Sequence, residues 1–151
     1  VNPHGIDAGL KTTPYSTAED MARLTRYALN KAGFRFYVAQ KERQISFERG
    51  GSKKQYMLRN TNELLGQMGV DGVKTGKTAR AGDCLILSVA REPEVVKHGE
   101  SNTTVTPRSL VIVILGSANR FEEGRQLIAM GWQLYDQWAA QGRMVDPKKL
   151  L

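Results

Sequence analysis

The chain has 151 residues, the length of one ordinary domain, with 40% hydrophobic and 25% charged residues and no apolar run near the roughly 20 residues of a membrane span. Its formal net charge of +7 favours anionic partners. Nucleic acid, acidic headgroups and an anionic polymer all qualify, but Lys and Arg are spread along the chain, with no aromatic-rich basic run for base stacking and no strongly basic helix.

The first residues, Val1 to Gly5, carry neither the basic n-region nor the apolar core of a signal peptide. A first helix is predicted over residues 16–32, with Ser16 and Glu19 as a capping box and Met21, Leu24, Ala28 and Leu29 as its apolar stripe, stopped by Gly33. Residues 34–39 read equally as a short helix or a strand. Residues 44–47 and 55–58 flank Gly50-Gly51 and predict a β-hairpin. Asn60-Thr61-Asn62 ahead of Glu63-Leu64-Leu65 predicts a capped helical turn. Residues 72–77, 84–90 and 109–115 read as strands apolar enough to be buried on both faces. Between the last two, residues 91–108 are polar with two prolines and predict a long hairpin loop. Asn119 then caps a closing helix in which Glu122 and Glu123 complement the N-terminal dipole and Leu127, Ile128, Leu134, Tyr135 and Trp138 form an apolar face. The order predicts an α+β fold, an antiparallel sheet flanked by helices, over residues 1–142, with a polar tail over 143–151.

The chemistry gathers in Val70-Asp71-Gly72-Val73-Lys74-Thr75-Gly76-Lys77-Thr78. Lys74-Thr75-Gly76 suits the wall of a serine acyl-transfer site: Lys74 supplies positive charge, the Thr75 hydroxyl bonds a carboxylate, and Gly76 lets a ligand approach the backbone. A plain basic strand end is the simpler alternative. A phosphate-binding loop ending in Gly76-Lys77-Thr78 needs a glycine where Asp71 stands, and a helix where a strand follows. Arg125 lies near the start of the closing helix, where a cation opposes the dipole. It either pairs with Glu122 or Glu123 or faces a bound anion. Cys84, alone in its apolar run, reads as a buried inert thiol. His4 and His98 have no ligand-spaced neighbours, so neither a metal nor another cofactor is expected.

Four blocks then resemble a known family: residues 2–7, residues 15–22, residues 60–65, and residues 70–78 with Ala81-Gly82. In order and rough spacing they are similar to the low-molecular-mass penicillin-binding proteins that act as D-alanyl-D-alanine carboxypeptidases. The resemblance implies a serine β-lactamase/transpeptidase-like fold and a site built from S-x-x-K, S-x-N and K-T-G. Only K-T-G is present. No serine here has lysine three residues on, and Ser117-Ala118-Asn119 falls after K-T-G, where it reads as a helix cap. The chain is thus expected to be the C-terminal portion of the catalytic domain, inactive alone, with an exposed apolar surface and the nucleophile-bearing N-terminal half as its partner.

For a completed site the resemblance implies attack by the absent serine on a terminal D-Ala-D-Ala bond of a peptidoglycan stem peptide, and acylation by β-lactams. Lys74 stabilises charge and aids proton transfer. Thr75, Gly76 and Arg125 bind the substrate, and the backbone N–H of Lys77 forms half of the oxyanion hole. His4 is read as a packing residue. The implied location is periplasmic or extracellular, at the outer face of the bacterial cytoplasmic membrane. A non-catalytic peptidoglycan-binding relative, a DD-endopeptidase and, from charge alone, a nucleic-acid-binding domain are the alternatives, with nucleic acid not expected as a partner.

Overall fold

A computed structural model describes residue 9, residues 14–99 and residues 101–145. The block around His4 and the tail beyond residue 145 lie outside the described residues. The predicted first helix is α1 (Ala18–Leu29), and residues 34–39 take the helical one of their two readings as α2 (Ala32–Val38). The cap of α1 is one residue later than expected: the Thr17 hydroxyl accepts from the Asp20 N–H at 3.1 Å and bonds the Asp20 carboxylate at 2.9 Å. Asn30 closes α1, extended Lys31 precedes α2, and Gly33 lies inside the second helix rather than stopping the first. Asparagine favours caps over helix interiors, so no glycine is required for the break. The inward face of α1 carries Met21, Thr25 and Leu29, whereas Leu24 is 57% exposed.

Strands β1 (Glu42–Arg49) and β2 (Ser52–Arg59) form the expected hairpin. Gly50 and Gly51 have φ of +59° and +72°, the double positive-φ turn that matches strand twist. The main sheet has the order β3-β4-β5, all antiparallel, from β3 (Val70–Thr78), β4 (Gly82–His98) and β5 (Asn102–Ser117). Along β4 the side chains alternate: Leu85, Leu87 and Val89 join Ile114, Ile128 and Trp132 in one core cluster, while Ile86 joins Leu29 and Val73 in another. The sheet is therefore buried on both faces, by α3 (Arg120–Ala140) on one and by α1 on the other.

On α3 the buried stripe is Gly124, Ile128 and Trp132, four residues apart, and Leu134 is 53% exposed. A Cβ on Gly124 would stand 3.1 to 3.3 Å from Leu64, Leu85 and Leu87. The missing side chain lets α3 lie close against the sheet.

Residues 91–108 are not a loop. Strands β4 and β5 continue as a two-stranded arm with Val95 opposite Val105 and His98 opposite Asn102. Pro93 and Pro107 both fall in the interruption between the Arg91–Arg108 and Glu94–Thr106 pairs, where no ladder N–H is needed. Val95, Val96, Thr103, Thr104 and Val105 supply the β-branched run that extends the strands despite their polar company. At its base Arg91 bonds Asp136 at 3.1 Å and lies 4.1 Å above the Trp132 ring, and Glu94 pairs with Arg143. The Glu94 carboxylate raises the Arg143 guanidinium above its ordinary value. Next to Arg143 the chain folds back, the Trp138 indole N–H donating to the Met144 carbonyl at 2.8 Å.

Candidate active site

The strand bearing Lys74-Thr75-Gly76 is the edge of its sheet, and the segment before it braces that edge. Asn60 Nδ2 donates to the carbonyls of Val38 and Gln40, both at 3.1 Å, and its Oδ1 accepts from the Asn62 N–H at 3.0 Å. Buried Asn62 accepts from the Leu64 N–H and donates to the Gly72 carbonyl, each at 3.2 Å. These residues form the capped turn expected, with Asn62 as its cap. The segment ends at Gly69, whose φ of +81° and 2.1 Å clearance from the Ala90 carbonyl to a built Cβ admit only glycine.

Between those braces the Thr61 hydroxyl bonds the Thr75 hydroxyl, and Thr75 is buried. Lys74 is exposed, with its ammonium turned to the Thr75 carbonyl. At Gly76 a Cβ would meet nothing within 4 Å, so the backbone there is open to a ligand. Lys77 bonds Asp83 on β4 at 3.2 Å.

The two arginines at the start of α3 behave differently. Arg125 bonds Glu122 at 3.2 Å on the helix surface, the ion pair that was one of its two expected states. Arg120 reaches the sheet: its Nη1 donates to the Gly76 carbonyl at 2.9 Å and to Asp83 Oδ1 at 3.3 Å, with its side chain 19% exposed. Across a trans peptide the carbonyl of one residue and the N–H of the next point opposite ways. The Lys77 N–H therefore points away from the side on which Arg120 holds Gly76.

The structure thus brings Lys74, Thr75, Gly76 and Lys77 together with Arg120, Asp83 and Thr61, and leaves Arg125 outside that group. Arg120 was legible in principle, since it directly follows the Asn119 cap, whose Oδ1 accepts from the Glu122 N–H at 3.4 Å, and so lies nearest the strand ends. Thr61 was legible only as part of the predicted turn and the family block at residues 60–65, and Asp83 carried no sequence signal. Cys84, opposite Gly76, is half-buried rather than buried, its thiol facing the Ala81 and Gly82 carbonyls at 3.6 and 3.9 Å.

Residues 1–97 match the sequence profile of the D-alanyl-D-alanine carboxypeptidases. The chain belongs to the D-alanyl-D-alanine carboxypeptidase family. Across 88% of its length, this carboxypeptidase-family chain is 30% identical to D-alanyl-D-alanine carboxypeptidase DacC of Escherichia coli. A serine-to-alanine mutant of a Streptomyces DD-transpeptidase matches 83% of the chain with a TM-score of 0.62 and 25% identity. A penicillin-binding protein of Listeria monocytogenes, solved in a cefotaxime-bound form, matches 87% with a TM-score of 0.62 and 23% identity. The fold is therefore that of the serine β-lactamases and transpeptidases. This carboxypeptidase-family chain spans 28% of DacC and 45% and 47% of the two solved chains.

Proposed function

We propose that this chain supplies the K-T-G wall of a serine-type D-Ala-D-Ala carboxypeptidase that acts on peptidoglycan stem peptides outside the cytoplasmic membrane. The reading rests on one observation: an edge strand whose Lys74, Thr75 and open Gly76 lie together, with Arg120 held against the same strand.

In that reaction a serine hydroxyl, carried on polypeptide other than these 151 residues, attacks the penultimate D-Ala carbonyl. The peptide C–N bond breaks, the leaving amine takes a proton and departs as D-Ala, and water then hydrolyses the acyl-enzyme. The Lys77 N–H, pointing to the side opposite Arg120, stabilises the oxyanion of each tetrahedral step. Lys74 offsets the negative charge that develops. The Thr75 hydroxyl bonds the terminal carboxylate, and Arg120 is the arginine placed to share it. Arg125, the arginine first expected there, would have to leave Glu122 to do so. A β-lactam enters the same cycle and stalls as the acyl-enzyme.

A second reading is a carboxylate-binding relative without hydrolysis, which differs from the first only in polypeptide beyond these 151 residues. Intact-mass spectrometry with benzylpenicillin separates the two. Catalysis requires a covalent adduct on a serine of polypeptide assembled with this chain, with the acylation rate falling on the order of a hundredfold in Lys74→Ala. Unchanged acylation in Lys74→Ala would overturn the assignment, and no adduct in the assembled protein would leave the binding relative.

A further inference from the structure

Asp83 stands where three strands and a helix meet. It faces Lys77 across the β3–β4 ladder and pairs with Ser117 at the end of β5, just before α3 begins. Its side chain is 21% exposed, and its two oxygens are divided: Oδ2 to the Lys77 ammonium at 3.2 Å and Oδ1 to Arg120 Nη1 at 3.3 Å.

Arg120 is consequently held from one end. Both hydrogens of Nη1 are used, one on the Gly76 carbonyl and one on Asp83, and the guanidinium carbon lies 4.9 Å from the centre of the Phe121 ring. The Nε and Nη2 atoms have no partner among the described residues. A guanidinium fixed through Nη1 keeps its Nε–Nη2 edge for a planar, two-oxygen anion.

We propose that Asp83 is a positioning residue: it pins Arg120 by one nitrogen so that the opposite edge is preset for the terminal carboxylate of the ligand. This rests on the carboxylate-binding reading above. The effect has a sign that distinguishes it from simple charge. Removing Asp83 adds one positive charge beside the ligand, and electrostatics alone would then tighten anion binding. Loss of a preset fork weakens it, because ordering Arg120 becomes part of the binding cost.

The test uses the 151-residue chain, ¹⁵N-labelled, with N-acetyl-D-Ala-D-Ala as the probe. The Arg120 Nε–Hε signal should show a rigid heteronuclear NOE that collapses in Asp83→Asn and returns in Asp83→Glu. Dipeptide affinity should fall about tenfold in Asp83→Asn, against the charge change, and recover in Asp83→Glu. In an Arg120→Lys background, which lacks the fork, Asp83→Asn should have no such effect. Asp83→Ser serves as a second variant, should the asparagine protein not fold. Equal or tighter dipeptide binding in Asp83→Asn, or an Arg120 signal indifferent to it, overturns the proposal. An Arg120 signal that depends on Asp83 in a chain that binds no dipeptide upholds the pinning and overturns the carboxylate-binding reading instead.

Discussion

Arg120 Nη1 donates to the Gly76 carbonyl at 2.9 Å, which ties the first turn of α3 to the strand carrying Lys74 and Thr75. Helix and site are thereby coupled through one side chain. Arg120→Ala should weaken binding of N-acetyl-D-Ala-D-Ala by roughly tenfold or more, the scale of a lost charge-assisted pair. Arg125→Ala removes only a surface pair at 3.2 Å from Glu122 and should change affinity less than about twofold. Calorimetric or NMR titration of both variants decides between the arginines, and a larger loss in Arg125→Ala would return the role to Arg125.

Asn62 is 5% exposed and joins two segments, accepting from the Leu64 N–H and donating to the Gly72 carbonyl. Asn62→Ala leaves both backbone groups without that partner inside the protein, a loss of about 1–3 kcal/mol each at most. We expect the urea midpoint to fall and the Thr75 amide to shift, because Thr61, the neighbour of Asn62, bonds Thr75. A midpoint within error of the wild type would show that the brace is not structural.

Gly124 sets local propensity against packing. In an isolated helix Gly→Ala gains about 1 kcal/mol. Here a Cβ would lie 3.1 Å from Leu64, 3.3 Å from Leu85 and 3.3 Å from Leu87, so Gly124→Ala should destabilise the protein by about 1–3 kcal/mol. Denaturant unfolding reads the sign directly, and a stabilised variant would mean that α3 can lift from the sheet without cost.

These residues also mark what a reader of the sequence can reach. Gly50-Gly51 announces its hairpin because positive φ at both positions is cheap only for glycine, and Asn119 announces α3 because its side chain must satisfy the first free N–H groups. Lys74-Thr75-Gly76 was legible as a motif, and its place on an edge strand follows from the β3-β4-β5 order. The break between α1 and α2 was expected at Gly33 but lies at Asn30-Lys31, and its place was hidden because it uses neither glycine nor proline. The arm was hidden for a different reason: its side chains are almost all exposed, so burial writes no alternation into them. The preference for Arg120 over Arg125 depends on how the end of β5 meets Gly76, a contact 44 residues apart in sequence that local pattern cannot encode.

The exposure of that arm makes it separable from the core. The buried residues of β4 and β5 lie at Leu85–Val89 and Ile114, below the interruption at Arg91 and Arg108, whereas Val95 and Val105 are 54% and 57% exposed. Joining residues 91 and 108 through Asn-Gly, a two-residue turn suited to antiparallel strands, removes exposed pairs together with the Glu94–Arg143 contact. Because the removed side chains are almost all exposed, their loss takes little from the core, and the cut keeps both the Arg91–Asp136 pair and the Arg91–Trp132 stack. We therefore expect a folded protein with an almost unchanged melting temperature and unshifted amides at Lys74, Thr75 and Lys77. Loss of the cooperative transition would show instead that the arm nucleates the β4–β5 pairing on which the whole sheet depends.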